Sequence, residues 1–226
     1  MKRSEINAVI KKFEALLQKY SFALPPFLSW TPEEWQNKGH EYDEIRDNML
    51  GWDVTDYGMG QFDTLGLALI TIRNGNVQNP KYTKTYAEKI MMLREGQVSP
   101  NHFHWNKMED IICRGGGNLL VKVNLSNPDE SISDADVPVM LDGYHTTVKA
   151  GTVIRLTPGH SITMQRRLYH SFWAEEGFGP AIVGEVSMAN DDLNDNRFLE
   201  KRGRFSAIEE DEAPLYLLCN EYPRAD

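Results

Sequence analysis

The 226-residue sequence contains only two cysteines, Cys113 and Cys219. Small secreted domains use several disulfides to compensate for a small hydrophobic core, and two cysteines cannot form such a framework. The sequence also lacks an excess of positive charge, since 24 Lys and Arg residues stand against 33 Asp and Glu residues and give a net charge of −9. Because an acidic protein is repelled by phosphate backbones and anionic lipids, we expect neither nucleic acid nor a membrane as its partner.

Long apolar runs are missing as well. Near the N-terminus, the apolar positions between Ile6 and Leu17 are interrupted by charges at Lys11, Lys12 and Glu14, unlike the continuous apolar core of a signal peptide. No stretch of the sequence approaches the ~20 apolar residues that cross a bilayer. We therefore expect a cytoplasmic protein.

The N-terminal part of the sequence has helical patterns. Apolar residues recur at helical spacing over residues 1–20. Thr31-Pro32-Glu33-Glu34 is typical of a helix start, with a capping Thr, a proline in the first turn and a Glu three residues after the cap. Neither helix can bury its apolar side alone, so we expect residues 1–60 to form a helical extension packed on the rest of the chain.

From about residue 62, the pattern changes to short runs of strand-forming residues separated by turns. Residues 65–72, 118–125 and 180–187 are examples. Roughly seven such strands at close spacing, without helical patterns between them, predict a sandwich or a barrel. We expect a mainly β protein with a β-barrel over residues 61–226, joined to the extension in a single structural domain.

Two histidines, His102 and His104, stand one residue apart in a segment that reads as a strand. Alternate side chains of a strand share a face, so the two imidazoles can converge on one metal ion. Glu109 follows five residues later and can supply a carboxylate oxygen. A distant fourth ligand, either His160 or His170, would leave a position open for water or substrate, as a catalytic metal requires. Alone, the pair of histidines also fits an ordinary polar strand.

The spacing around these residues resembles the first sequence motif of the cupin superfamily. That motif is Gly96, five residues, His102 and His104, four residues, Glu109, six residues and Gly116. The resemblance implies a cupin-type double-stranded β-helix, or jelly-roll barrel, with the N-terminal helices as an addition.

The second cupin motif resembles the segment from Gly151 through Pro158-Gly159 to a later histidine. His160 directly follows the Pro-Gly pair and is expected in a turn. His170 lies in the strand-like run 169–173, where alternation can direct its side chain into a barrel. We therefore take His170 as the fourth ligand.

The chain further resembles the D-lyxose isomerase family of cupin sugar isomerases from about Asp56 onward. Four segments carry the resemblance: Asp56-Tyr57-Gly58-Met59-Gly60, the stretch from His102 to Glu109, the strand of His170, and Gly184-Glu185-Val186-Ser187 leading to Asp195-Asn196-Arg197.

This family resemblance implies an activity, a cofactor and an assembly. The activity is aldose–ketose isomerisation of a free monosaccharide, namely D-lyxose with D-xylulose and D-mannose with D-fructose. One divalent metal ion per chain, Mn²⁺ by the resemblance, is expected on His102, His104, Glu109 and His170. Imidazole and carboxylate ligands also accept Zn²⁺, Co²⁺, Fe²⁺ or Ni²⁺. A homodimer is the expected assembly.

Isomerisation moves a proton between C1 and C2 of the open-chain sugar through an enediol, and a carboxylate must carry that proton. We predict Glu185, because it follows the apolar run 181–184 and can face a barrel interior. Lys107 is predicted to stabilise the negative charge that develops on the sugar oxygens. The alternatives are a surface glutamate at a strand end and a solvated lysine in a loop.

Further side chains are candidates for holding the sugar. Arg197, Asp191 and Asp195 could bind hydroxyl groups, although helix caps or ion pairs would use the same residue types. Phe172 and Trp105 flank the predicted ligands and could stack on a sugar face, although such residues are more often part of a core.

Two other functions remain open from the sequence: a cupin dioxygenase that uses Fe²⁺, and a non-catalytic sugar-binding cupin. A phosphosugar isomerase would need a cationic pocket, and Arg166-Arg167 is the candidate for it. If this pair lies in a strand, its side chains point to opposite faces, so we expect a free sugar as the substrate.

Overall fold

The computed structural model describes residues 1–225, and within them the helices are confined to the first 47 residues. The helices are α1 (Arg3–Lys19), α2 (Pro32–Trp35) and α3 (Asp43–Asp47), with 3₁₀ turns at Pro26–Ser29 and His40–Tyr42. The predicted capping box is present at the start of α2, where Thr31 and Glu34 exchange hydrogen bonds at 2.8 and 3.2 Å. No helix of residues 1–225 is long and apolar enough to cross a membrane.

The rest of the described chain forms thirteen strands. They are β1 (Gly51–Thr55), β2 (Leu67–Arg73), β3 (Tyr86–Leu93), β4 (Ser99–His104), β5 (Glu109–Gly116), β6 (Leu119–Leu125), β7 (Val137–Leu141), β8 (Tyr144–Val148), β9 (Val153–Leu156), β10 (Ser161–Met164), β11 (Leu168–Ala174), β12 (Ala181–Met188) and β13 (Asn196–Phe198).

The strands form two antiparallel sheets that face each other as a cupin-type jelly-roll barrel. The larger sheet has the order β1-β2-β3-β12-β5-β10-β7-β8, and the smaller has the order β13-β4-β11-β6-β9. Apolar side chains of both sheets, such as Met91, Val121, Ile162 and Val183, fill the space between them. The predicted mainly β fold is therefore confirmed.

Strand β1 lies inside residues 1–60, which we expected to be helical, so that expectation is wrong for Gly51–Thr55. All five residues of β1 are buried. Apolar Trp52 and Val54 alternate with polar Asp53 and Thr55, so this short strand has a period-two pattern that our reasoning missed. The division of the chain into an extension and a barrel stays a prediction.

Helix α1 covers part of the outer face of the larger sheet. Its residues Ile6, Ile10 and Phe13 are fully buried against side chains such as Ile70 and Ile182. The amphipathic pattern of the first 20 residues therefore forms a second core, on the side of the larger sheet that faces away from the barrel interior.

Gly116 explains one end of the spacing in the first predicted motif. This residue ends β5 with φ +76°, and a Cβ atom there would lie 2.2 Å from the carbonyl oxygen of Pro180. A side chain is therefore excluded by both backbone conformation and space. The tight turn after Gly116 leads the chain from β5, which begins with Glu109 in the larger sheet, to β6 in the smaller sheet.

Candidate active site and metal centre

Three histidines meet inside the barrel. His102 and His104 lie on β4, and His170 lies directly opposite His102 on the neighbouring strand β11. Strand alternation places Phe103 on the other face, where it is fully buried. One ring nitrogen from each of the three histidines lies within 4.8 Å of the others, so they could hold one metal ion.

Backbone carbonyl groups orient two of the rings. His102 Nδ1 lies 2.7 Å from the carbonyl oxygen of Pro100, and His170 Nδ1 lies 2.9 Å from that of Leu168. With the proton assigned to Nδ1, each ring donates to the carbonyl and keeps the lone pair of Nε2 free. This arrangement is typical of metal-binding imidazoles.

Glu109 completes the cluster from the start of β5. Its Oε1 atom lies 3.3 Å from Nε2 of His104 and 3.2 Å from Nε2 of His170. Both Nε2 atoms are buried without a hydrogen-bond partner among the residues described. Buried polar atoms without partners are costly in proteins, and a metal ion would satisfy them.

The ionisation of the cluster suits a cation. Desolvation lowers the pKa of His104 and holds that of His102 well below the ordinary value, so both rings stay neutral. Burial alone would raise the pKa of Glu109, but Lys107 and His104 outweigh it and hold this pKa well below its usual range. Neutral imidazoles and one carboxylate form a donor set that fits a divalent transition metal.

Lys107 and Glu185 lie beside the cluster. The Lys107 ammonium group is 2.6 Å from Glu109 Oε2 and 2.9 Å from Glu185 Oε1, and all three side chains are buried. Burial would lower the pKa of Lys107, but the two carboxylates raise it above its ordinary value. Glu185 therefore faces the barrel interior, as the sequence predicts, and its carboxylate lies beside the candidate metal ligands.

The charged network continues through residues that we did not predict. Lys89 Nζ lies 3.6 Å from Glu185 and 3.2 Å from Asp192. Arg204 in turn contacts Asp192 at 2.8 Å and Asp53 at 2.5 Å. Burial would raise the pKa of Asp192, but Lys89 and Arg204 reverse this effect and hold it well below its usual range. Positive and negative groups thus alternate from Asp53 to the candidate metal centre.

A cavity of about 50 Å³ opens among these groups. Leu67, Leu69 and Met91 supply apolar surface, and Phe172 lines the cavity as predicted from strand alternation. Tyr57, from the first of the four resembling segments, also lines it. Burial raises the pKa of Tyr57 to about 12, so its hydroxyl stays protonated.

Two predicted sugar-binding aspartates have other contacts and do not line this cavity. The Asp195 carboxylate accepts hydrogen bonds from the backbone N–H groups of Asn106 and Lys107, at 2.8 and 2.9 Å. Asp191 accepts hydrogen bonds from the backbone and side-chain amides of Asn194. Asp192, next to Asp191, is the aspartate of this loop that reaches the cavity.

Arg197 and Trp105 are also placed away from the cavity lining. Arg197 contacts Glu130. Trp105 packs edge-on against Phe103 with ring centroids 4.7 Å apart, and the Arg167 guanidinium lies over its ring. Direct binding of the sugar by Arg197, Asp191, Asp195 or Trp105 stays a prediction, and the contacts described here do not bring these side chains to the metal ligands.

The alternatives to the predicted ligand and substrate are also placed. His160 is exposed and contacts Asp142 at 2.7 Å, away from the cluster that contains His170. Arg166-Arg167 lies in the turn between β10 and β11, so the strand alternation that we assumed for this pair is wrong. Arg166 donates to the carbonyl oxygen of Asn106, and neither arginine lines the cavity.

Lys89 had a sequence signal that our reasoning missed. It stands in Tyr86–Leu93, a strand with five consecutive buried residues from Lys89 to Leu93. Lysine is almost never fully buried unless it is paired, so its place in an apolar strand indicates a buried partner. Arg204, by contrast, lies outside any strand, and no local pattern connects it with Asp53.

The fold and the cavity define a cupin-type β-barrel protein with a candidate metal centre. The model of the D-lyxose isomerase family matches residues 1–222. The chain is 48% identical to a D-lyxose/D-mannose isomerase of Serratia proteamaculans over 99% of both chains, and 48% identical to one of Escherichia coli O157:H7 over 98% of both. It therefore belongs to the D-lyxose isomerase family and is an aldose–ketose isomerase.

A solved structure supports the fold independently. The L-ribose isomerase of Cellulomonas parahominis, determined with L-psicose, matches with a TM-score of 0.63 over 92% of this chain and 98% of that chain. The two sequences are 16% identical, so this likeness shows the shared cupin fold alone.

Proposed function

We propose that this protein interconverts free aldoses and ketoses, D-lyxose with D-xylulose and D-mannose with D-fructose, with the help of one divalent metal ion. Its membership of the family and the names of its relatives support this substrate class. The observation that carries the proposal is the placement of Glu185: a buried carboxylate outside the ligand set lies 2.9 Å from Lys107, which itself contacts Glu109.

His102, His104, Glu109 and His170 would hold the ion. When bound, a divalent metal supplies Lewis-acid polarisation of oxygens on adjacent sugar carbons. The donor set supports a transition metal, and we propose Mn²⁺ with Zn²⁺, Co²⁺, Fe²⁺ and Ni²⁺ as alternatives.

Glu185 is proposed to move the proton. Its carboxylate accepts the proton from C2 of the open-chain aldose, which leaves an enediolate, and returns this proton to C1. The proton of the O2 hydroxyl passes to O1, which completes the conversion of the aldehyde and its neighbouring alcohol into the ketose. The same group can serve both carbons because they are adjacent. The register of β12 holds Glu185 opposite Lys89 on β3, which fixes the backbone from which the carboxylate projects.

Lys107 is proposed to hold the negative charge that develops on the sugar oxygen during this transfer. Its ammonium group is buried with Glu109 and Glu185, and Asn190 Oδ1 accepts a further hydrogen bond at 3.0 Å. A donor that is already oriented and shielded from water stabilises such a charge more than a mobile one does.

The charges around the cavity favour an uncharged sugar over a sugar phosphate. Lys89, Lys107 and Arg204 each contact at least one carboxylate. A phosphate dianion would have to compete with these carboxylates for the same cations. This balance supports a free monosaccharide as the substrate.

A panel of free aldoses and ketoses tests the proposal, with metal-free protein to which single divalent ions are added and with oxygen uptake recorded in parallel. We expect D-lyxose and D-mannose to be converted without oxygen consumption. Oxygen uptake would instead indicate a dioxygenase, and binding of sugar without turnover would indicate a non-catalytic cupin.

Glu185→Gln provides the matched test of the proton carrier. The variant keeps the shape of the side chain but cannot accept the proton, so kcat should fall by about 10²–10⁴-fold while the metal is still bound. The control is Glu88→Gln on the outer face of the same sheet, where Glu88 contacts Arg73 at 2.9 Å, and it should keep wild-type activity. Equal kcat values for both variants would contradict the role of Glu185.

The homodimer is proposed on the family resemblance, and the cytoplasmic location on the interrupted apolar pattern of the N-terminal residues. Sedimentation equilibrium tests the assembly, for which we expect twice the 25.9 kDa chain mass. A monomer at micromolar concentration would contradict it.

A further inference from the structure

Some buried polar atoms of the described chain have no hydrogen-bond partner, and they are not spread evenly. Several belong to the histidine and glutamate cluster, where the metal ion would satisfy the Nε2 atoms of His104 and His170. Two others, Asn196 Oδ1 and Arg204 Nη1, belong to residues that line the same cavity. Neither residue is a metal ligand in the proposed function, so the metal does not explain their free atoms.

The amide of Asn196 has a fixed orientation. Its Nδ2 atom donates to the backbone carbonyl oxygen of Asp192 at 3.1 Å. Strand β13 holds the backbone, where Asn196 is paired with His104 of β4. With the nitrogen used in this way, the amide keeps its oxygen as an acceptor without a donor.

Arg204 is held around the same aspartate. Its Nη2 atom donates to the carboxylates of Asp53 and Asp192, at 2.5 and 2.8 Å. These two contacts fix the plane of the guanidinium group and leave Nη1 as a donor without an acceptor. Asp192 therefore orients both residues, Asn196 through its backbone carbonyl and Arg204 through its side chain.

A buried donor or acceptor without a partner destabilises the folded protein, so two such atoms in one cavity indicate that a ligand binds there. A sugar hydroxyl both donates and accepts, which matches one free acceptor and one free donor. In the absence of sugar, water molecules can occupy the cavity, because each needs only about 10–15 Å³.

We propose that Asn196 and Arg204 form a hydroxyl-binding subsite, in which Asn196 Oδ1 accepts from and Arg204 Nη1 donates to hydroxyl groups of the bound sugar. This inference rests on the proposed function, since it names the residues that recognise the sugar away from the metal ligands. A site built to bind a hydroxyl rejects an analogue without it, because its own polar atoms are then left unpaired.

The first test measures binding without chemistry. The probe is D-arabinitol, a polyol with the hydroxyl configuration of D-lyxose and no carbonyl group, titrated calorimetrically into the metal-loaded protein. Asn196→Leu should raise Kd for D-arabinitol about tenfold or more, which corresponds to the loss of one hydrogen bond of about 1.4 kcal/mol. Asn118→Leu is the control, because Asn118 is also buried but donates to Glu175 at 2.7 Å and does not line the cavity.

The second test uses aldoses that lack one hydroxyl each. Wild-type protein should reject one of these monodeoxy sugars by about 100-fold or more in kcat/KM relative to the parent aldose. Asn196→Leu should lose most of this discrimination for that sugar and keep it for the others, while Asn118→Leu should behave as wild type. If Asn196→Leu does not fold, Asn196→Ala removes the same oxygen without adding bulk. Arg204→Lys tests the donor while it retains a charge for Asp53 and Asp192.

The outcomes separate this inference from the proposed function. Equal Kd values for wild type and Asn196→Leu, or no binding of D-arabinitol by wild type, would overturn the subsite and indicate that water alone occupies it. An equal loss for all deoxy sugars would overturn it as well. If wild-type protein binds the polyol through Asn196 but converts no aldose, the subsite stands and the proposed isomerisation fails.

Discussion

Asp195 offers a sharp test of how the candidate active site is held together. Its carboxylate accepts three hydrogen bonds: from the backbone N–H groups of Asn106 and Lys107, at 2.8 and 2.9 Å, and from the Asn106 side-chain amide at 3.0 Å. Asp195 does not line the cavity, so we expect it to act on the reaction by positioning the backbone of Lys107. Asp195→Asn keeps the shape but turns one oxygen into an NH₂ group that faces an N–H donor.

The size of the effect follows from the hydrogen bond that is lost. A hydrogen bond to a charged group contributes about 1.5–3 kcal/mol, so unfolding should become easier by this amount. At 2–4 °C per kcal/mol for a chain of this size, Tm should fall by about 3–12 °C. If the loosened Lys107 loop transmits the same free energy to the transition state, kcat falls by about 10–160-fold, at 1.36 kcal/mol per factor of ten.

Steady-state ketose formation from D-lyxose at saturating metal, together with thermal unfolding by circular dichroism, measures both effects. We expect kcat to fall and KM to change little, because no contact with the sugar is removed. Asp129→Asn is the control, since Asp129 accepts hydrogen bonds from the backbone and hydroxyl of Ser131 in an exposed loop. A several-fold rise in KM with unchanged kcat and Tm would refute the reasoning and return Asp195 to direct sugar binding.

Three further changes test other parts of the structure. Lys107→Met removes the cation between Glu109 and Glu185, and kcat should fall by about 10²–10³-fold; a smaller loss, measured at saturating metal, would contradict its role. Phe13→Ala leaves a cavity between α1 and the larger sheet, and denaturant unfolding should show that the free energy of unfolding falls by about 3–5 kcal/mol. A decrease below 1 kcal/mol would argue against that core. Burial would raise the pKa of Asp56, but hydrogen bonds from Ser206, Gly58 and Gly60 to its carboxylate outweigh this effect and lower the pKa in the folded protein. The stabilisation by Asp56 is therefore complete above the unfolded pKa and is lost as pH falls through the folded pKa. The Tm difference between wild type and Asp56→Asn should shrink from pH 6 to pH 3, and a constant difference would contradict this.

Local spacing in the sequence anticipated the residues that meet at the candidate metal centre. The two-residue period of a strand explains why His102 and His104 share a face and why His170 can face the same space from a neighbouring strand. The choice of these residues as ligands came from the resemblance to the cupin motifs. Phe172 followed from the same alternation. These predictions depended on short stretches of chain, where backbone geometry alone determines which side chains share a face.

The rest of the cavity depends on contacts between distant parts of the chain. Arg204 contacts Asp53 and Asp192 because the segment after β13 returns to β1, and no local pattern encodes that return. The loop that contains Asp191, Asp192 and Asp195 shows the same limit. All three are acidic and lie close together in sequence, yet only tertiary structure separates the residue that lines the cavity from its neighbours.

One strand was missed although its sequence has the pattern. In β1, Trp52 and Val54 alternate with Asp53 and Thr55, but this run of five residues lies in a region that otherwise has helical patterns. In α1, the apolar spacing predicted the helix because one face of it remains in water.

The central claim is that a divalent ion on His102, His104, Glu109 and His170 is required for isomerisation of a free aldose. The direct test is a titration of metal-free protein with Mn²⁺, in which bound metal and conversion of D-lyxose to D-xylulose are measured on the same samples. We predict that activity is absent without metal, rises with occupancy and stops rising at one ion per chain. Full activity in the metal-free protein, or metal bound at one ion per chain without conversion of any aldose, would contradict the account.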